Sequence, residues 1–302
     1  MIESILIFGV INGLTYALIA LGFTLVYGIS GMVNLTHGAF FIIGAYLYGI
    51  LFTNLLNVIP ENMSYLTPAL AMISSVLITS LIGGVFYRIT LHQILGDEVG
   101  ILIVSICGCM IFQQLIYVIL GTSAAFQSRV DLPISGKITL LNTNVLAGQM
   151  FAATISIIAF TALAIFISKT KIGRAMKALS QDIESAMLMG VSTEKLYILT
   201  TSISAGLASL AGILYTGTTT SNVSAYMWLL GLAISFTIVV LGGLGSIKGS
   251  IIGGLIFGLA ETAFIKIVPA AGDLQRSFPF IVILIILLIR PKGLFGKRVE
   301  ME

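Results

Sequence analysis

The sequence predicts an all-α polytopic integral membrane protein of eight to ten transmembrane or re-entrant helices, N-terminus out and C-terminus in. Three observations carry that prediction. Only 9% of the 302 residues are charged and 58% are hydrophobic, against about 25% charged in an ordinary soluble domain. Apolar runs of roughly 20 residues, the length that crosses a bilayer, recur along the chain. The basic residues gather on one side of those runs. Fifteen Lys/Arg and twelve Asp/Glu cannot coat a globule of this size, which excludes soluble, disordered and nucleic-acid-binding classes. Gly is abundant at 32 and Pro scarce at 6, the balance of closely packed membrane helices.

The first run, Ile5 to about Tyr27, is too long for a signal-peptide core and is preceded only by Glu3, so it is expected to be an uncleaved span. Further runs lie near 36–59, 66–87, 99–120, 145–168, 196–217, 228–247, 249–268 and 278–290. The pair at 228–268 is separated only by Gly242-Gly-Leu-Gly-Ser-Ile-Lys-Gly249, so one member reads as a broken or re-entrant helix. Cys107 and Cys109 sit inside an apolar run and read as small packing residues. Residues 1–302 are expected to form a single transmembrane domain carrying two excursions. One is a small extracytoplasmic loop at 121–144, where Asp131-Leu-Pro, Ser135-Gly-Lys137 and Ile138-Thr-Leu-Leu141 suggest a hairpin. The other is a cytosolic loop at 169–195.

Charge placement orients the spans. Lys169, Lys171, Arg174, Lys177 and Lys195 fall in one loop, and Arg290, Lys292, Lys297 and Arg298 in the tail. With both inside, counting spans brings Arg88 and Lys248 to the same side, which makes eleven of the fifteen basic residues. Arg129, Lys137 and Arg276 fall outside, and Lys266 lies within a span. One internal echo is present: Gly31-Met-Val-Asn-Leu-Thr-His-Gly38 and the Gly242–Gly249 block share Gly at the same spacing. Repeated transporter halves leave such a trace, and so do glycine-rich helix ends.

Small residues come first among the functional candidates. Gly9 and Gly13, and Gly245, Gly249 and Gly253, recur every four residues and line one helical face, which suits close helix packing or close backbone approach to a substrate. Polar groups at membrane depth are costly unless they find partners or line a cavity. Asn12 and Tyr16 lie in the first span, Asn34 and His37 flank the start of the second, and Gln113 and Gln114 sit late in the fourth. His37 reads as a helix-terminus hydrogen bonder or a proton relay; no metal-ligand spacing surrounds it. Glu261 and Lys266 are five residues apart, about 140° around a helix, so Glu261 requires an interhelical partner, water or a proton. It is a structural hydrogen-bonding group or a pathway and gating residue.

The stretch 171–191 carries an apolar stripe at Ile172, Ala175/Met176, Leu179, Ile183 and Ala186/Met187, the spacing of one amphipathic helix. Gly190 is a natural stop, and Ser192 with Glu194 suits the cap of the next span. The polar face mixes Arg174 and Lys177 with Asp182 and Glu184, and the apolar face has no aromatic anchor. That favours docking on a protein over lying on the membrane surface.

Several blocks, in order, resemble one family. They are Asn12-Gly-Leu-Thr-Tyr-Ala-Leu-Ile-Ala-Leu-Gly through Gly28, Gly31–Gly38, Gly173-Arg-Ala, Ser180-Gln-Asp-Ile-Glu-Ser-Ala, Met189-Gly-Val, Leu241–Gly254 and Arg290-Pro-Lys-Gly-Leu-Phe-Gly296. Together they are similar to the LivH-type permeases of branched-chain amino acid ABC transporters. The chain departs from the family pattern at Ala39, Lys248 and Leu230–Val240. The resemblance implies an ABC importer subunit of the cell membrane that carries branched-chain or related hydrophobic amino acids. It also implies a second homologous permease subunit, two cytosolic ATPase subunits, an extracytoplasmic substrate-binding protein and surrounding lipid, with no cofactor. The segment with Gly173, Arg174, Ala175, Ala178, Asp182, Ala186 and Gly190 would be the ATPase-coupling element, and Asn12, Tyr16, Asn34, His37, Gln114 and Glu261 pathway or gating candidates. No Gly-x-x-x-x-Gly-Lys-Ser/Thr motif is present, so ATP hydrolysis falls to the partners. Alternatives are a permease of the same family for urea or short amides, and, in another class, a stand-alone secondary transporter or channel.

Overall fold

The computed structural model describes residues 1–60, 63, 66–124, 132, 136–140, 143–218, 223–268, 274, 277–289 and 293–294. The helices are α1 Ile2–Ser30, α2 His37–Val58, α3 Thr67–Ile89 and α4 Glu98–Ala124, then α5 Ala147–Lys169, α6 Lys171–Leu179 and α7 Ile183–Leu188. They continue as α8 Thr193–Thr218, α9 Met227–Gly242, α10 Ile247–Ile267 and α11 Phe278–Ile289. A 3-10 turn at Leu91–Ile94 joins α3 to α4. Strands β1 Lys137–Leu140 and β2 Thr143–Leu146 pair antiparallel, Lys137 opposite Leu146, and run straight into α5. Of the expected outer loop, Arg129, Asp131 and Ser135 lie outside the described residues, as do Arg276, Arg290, Lys292, Lys297 and Arg298.

Among the described residues, seven helices are long and apolar enough to cross a membrane. The 16 residues of α9 reach only about 24 Å and the 12 of α11 about 18 Å. The 228–268 pair thus divides into a full-length α10 and a short α9. The hairpin lies at one end of α5 and α6–α7 at the other, which defines two faces of the molecule.

Two helices begin in the interior. His37, first residue of α2, sits level with Ile19 and Gly22 of α1, two to three turns short of the end of α1 at Ser30. Residues 31–36 therefore fold back into the bundle. At the other break the Tyr46 hydroxyl donates to Val223 O at 3.2 Å, and Trp228 lies against Gly38. The chain at Val223 is thus already inside the bundle just before α9 starts. Interior breaks are tolerated in a membrane protein where protein groups satisfy the freed backbone.

The packing obeys an exchange of α1 with α8, α2 with α9, α3 with α10 and α4 with α11. α1 runs along α10 as α8 runs along α3; α2 packs on α8 and α3 as α9 packs on α1 and α10; α2 touches α4 as α9 touches α11. Exchanged helices run in opposite directions, the pattern of an inverted repeat. The glycine echo does not mark it. Under the exchange Gly31–Gly38 corresponds to the chain before α9, described from Val223 to Tyr226, whereas Gly242–Gly249 is the tight α9–α10 corner, with Gly243 at φ 97° and Gly245 at φ 80°. The core lies among α1, α2, α8, α9 and α10, while α4 and α11 keep broad apolar faces exposed.

Candidate functional site

The 171–191 stretch is two helices instead of the one expected, because Asp182 restarts the chain. Its backbone is extended (φ −155°), and its carboxylate accepts from Ser185 N at 3.0 Å and from the Ser185 hydroxyl. Those donors favour the charged form and hold the exposed Asp182 carboxyl below its ordinary range. At the α5–α6 corner Thr170 caps α6 by accepting from Gly173 N at 2.9 Å. A Cβ at Gly173 would stand 2.5 Å from Ile167 Cα, so only glycine fits there. Gly190, at φ 81°, ends α7 with Val191 N donating to Ala186 O and Gly190 N to Met187 O, a left-handed stop. Ser192 O then accepts from Leu196 N at the start of α8.

The apolar stripe divides with the helix. Met176, Leu179 and Ala186 are buried against Leu163, Ile167, Leu196 and Tyr197 of the bundle itself. Those three residues of the face expected to enter a partner groove are therefore consumed internally, while Ile172, Ile183 and Met187 stay exposed. Arg174, Lys177, Ala178 and Asp182 are exposed and Ala175 is half-buried. Beyond them Met187 is exposed, and Leu188 and Met189 stand 88% and 85% exposed. Two cavities of about 560 and 590 Å³ flank Ile183 beneath the end of α1, sharing Tyr27, Ser30 and Gly31.

Towards the hairpin face, Tyr16 and Glu261 form a buried polar pair joined by a side-chain hydrogen bond between α1 and α10. This is the interhelical partner that Glu261 requires. Tyr215 of α8 packs 6.0 Å from the Tyr16 ring and Phe257 stands edge-on at 5.6 Å. Phe41 of α2 lies 5.7 Å from Tyr215, so four helices meet at this cluster. Asn12 is half-buried one turn beyond Tyr16.

His37 is deeper than a terminus at the membrane face. Its Nε2–H donates to Ile19 O at 2.8 Å and its Nδ1 accepts from the Ser204 hydroxyl at 3.1 Å. Both ring nitrogens of a neutral imidazole are thus occupied, tying α2 to α1 and α8. Asn34 serves the same break: its Oδ1 accepts from Thr36 N at 3.1 Å. Of the paired glutamines, Gln113 points inward and accepts from Trp228 Nε1–H, while Gln114 is exposed. Trp228 was absent from the candidates, although it is the chain's one tryptophan and a buried indole N–H needs an acceptor.

The glycines sit where helices touch. A Cβ at Gly9 would stand 2.9 Å from Leu259 Cα, one at Gly13 2.9 Å from Gly254 O, and one at Gly253 2.9 Å from Ile238 O. Gly249 meets the backbone of Gly242, and Gly245 lies against Gly28. Among the described residues, no group of three or more His, Cys, Asp or Glu side chains is placed to hold a metal.

Comparison with known proteins adds sequence relatives to this geometry. A family model described as branched-chain amino acid transport system / permease component matches residues 5–287. The chain is 33% identical to the high-affinity branched-chain amino acid transport system permease protein LivH of Salmonella typhimurium, covering 97% of this chain and 95% of that one. It is 31% identical to the permease protein BraD of Pseudomonas aeruginosa, over 98% and 96% of the two chains. Among solved structures it is similar to PsaBC from Streptococcus pneumoniae in complex with Fab. That similarity has a TM-score of 0.50 and 15% identity over 97% of both chains, a likeness of fold.

Proposed function

The chain belongs to the branched-chain amino acid transport system permease family, and from that premise we propose that it is the membrane subunit of an ATP-driven importer for branched-chain or related hydrophobic amino acids. The observation that carries the reading is the α6–α7 element. It is anchored by Met176, Leu179 and Ala186, yet it presents Leu188 and Met189 almost fully to solvent, and Arg174 and Lys177 of α6 are exposed as well. Exposed apolar tips on a rigid, capped element suit insertion into a protein groove. We assign this face to the cytosol, a reading that the basic residues of 169–195 support, and the groove to two ATPase subunits. The hairpin face then meets an extracytoplasmic binding protein.

A second permease subunit is assigned to the outward side of α4. Gln114 is exposed there seven residues, about 10 Å, from Gly121. A primary amide facing lipid is costly, so protein or a water-lined pathway covers it. The scarcity of charge, 9% of the residues, also suits the cargo, since a small aliphatic solute needs few ionisable groups along its path.

Purification of the chain with its neighbouring subunits tests the reading. Reconstituted with binding protein and ATP, the complex takes up leucine or a close relative. Uptake of urea or short amides in preference to amino acids would move the cargo within the family. Uptake without ATP, or failure to co-purify with any ATPase, would refute the importer reading in favour of a stand-alone secondary transporter or channel.

A further inference from the structure

α4 is fastened to the subunit along one polar edge. Its apolar stripe of Val99, Ile103 and Met110 faces outward, and its packing is chiefly on α2 and the 3-10 turn. Four residues at four-residue intervals, 105, 109, 113 and 117, do the fastening, and that spacing puts them on one helical face. Ser105 O accepts from the Thr36 hydroxyl at 2.9 Å, and Cys109 Sγ–H donates to Leu35 O at 3.2 Å. Gln113 Oε1 accepts from Trp228 Nε1–H, and the Tyr117 ring packs 5.9 Å from that of Tyr226. The first two grip the chain entering α2, and the last two grip the chain entering α9. One face of one helix therefore reaches both interior breaks.

A break inside a membrane frees backbone groups that neighbouring protein must satisfy. Sliding α4 past either break would strip Leu35 O or the Trp228 indole of its partner at a depth where water does not replace it. The broken ends also meet each other, since a Cβ at Gly38 would stand 2.5 Å from Trp228 O. We propose that Gln113 is a positioning residue of the transport cycle: through Trp228 it keeps the start of α9 in register with α4, so that α4 and the two interior helix starts move as one body. This rests on the transport reading above.

The test uses the assembled complex in proteoliposomes. Gln113→Met keeps the volume and removes the acceptor. It is expected to lower kcat of ATP-driven uptake about five- to tenfold, the scale of one buried hydrogen bond, with KM unchanged and more ATP hydrolysed per solute. Gln113→Glu, which keeps an acceptor, restores most of the rate. Trp228→Phe matches Gln113→Met, and the double variant is no slower than either single one, as residues acting through one contact require. Wild-type turnover in Gln113→Met, or independent multiplying losses in the double variant, would overturn the proposal. A second measurement does not depend on those variants folding. With Cys107→Ala, nitroxides at Leu115→Cys and Leu229→Cys, both exposed positions, report the α4–α9 distance without nucleotide and with ATP trapped. The distance is expected to hold; a shift of about one helical turn, ~5 Å, would sink the idea. A wild-type complex with no ATP-driven uptake would refute the transport reading instead, and the spin-label distance would still judge the α4–α9 unit.

Discussion

Replacing Gly258 with alanine probes the close crossing of α10 on α1. A Cβ there would stand 2.5 Å from Gly13 N and Cα and 2.6 Å from Gly9 O. All three are backbone atoms of α1, so no side chain can swing aside. Carbon atoms rest about 3.5–4.0 Å apart, which requires α1 and α10 to part by about 1 Å. A gap of that size forfeits a quarter to a half of each contact across it. At ~0.15 kcal/mol per atom pair and on the order of thirty pairs around the crossing, the loss is about 1–2 kcal/mol. Residual overpacking adds a further 1 kcal/mol or so, and the better helix propensity of alanine returns about 0.5–1 kcal/mol. The net is a destabilisation of about 1–3 kcal/mol. Gly49 of α2 is the matched control, because nothing lies within 4 Å of its Cβ position. Gly49→Ala is expected to be neutral or to gain up to about 1 kcal/mol from propensity alone. Equilibrium unfolding of both variants in bicelles measures the difference, expected at about 1–4 kcal/mol. Equal stabilities for the two would refute the contact reasoning.

Three further predictions concern function. Arg174→Glu, on the exposed side of α6, is expected to weaken ATPase binding about tenfold by charge reversal while the permease still inserts; unchanged ATPase stimulation in the complex would count against the docking role. Glu261→Gln keeps an acceptor for the Tyr16 hydroxyl and removes the carboxyl, so uptake is expected to fall several-fold to tenfold at an unchanged level of protein in the membrane; loss of the protein itself would show a purely structural role. Asp182, whose carboxyl is lowered by the Ser185 donors, contributes its cap fully above the unfolded carboxyl range and loses it as pH falls through the lowered folded value. The protection of the Ser185 and Ala186 amides, measured against their intrinsic exchange rates, is therefore expected to fall in acid, and Asp182→Asn to abolish that pH dependence; a wild-type protection flat in acid would contradict the cap.

The spans and the glycine crossings were legible because each follows from local composition. An apolar run of bilayer length has one outcome in lipid, and glycine at four-residue spacing lies on one helical face wherever the helix goes. Gly190 as a stop followed from its freedom to adopt positive φ. The division of 171–191 was legible too, in hindsight, since Asp182 three residues before Ser185 is a cap signal, but the continuous apolar period masked it. Glu261 announced that it needed a partner without naming Tyr16, which is 245 residues away in the chain. Gln113 and Gln114 are indistinguishable in sequence, and a rotation of 100° separates the one that meets Trp228 from the one that faces outward.

By itself, then, the sequence determined the solvent, the approximate spans and the family blocks, because transfer into lipid depends on composition summed over each segment. The tertiary structure alone decided that α2 and α9 start inside the bundle, that the repeat exchanges α1 with α8 in place of the glycine echo, and that Met176, Leu179 and Ala186 of the α6–α7 stripe are buried by their own subunit. Those outcomes depend on which distant backbone groups come within hydrogen-bonding or van der Waals reach, as His37 does with Ile19 and Ser204. Such contacts are set by the packing of whole helices, and no local window of residues contains them.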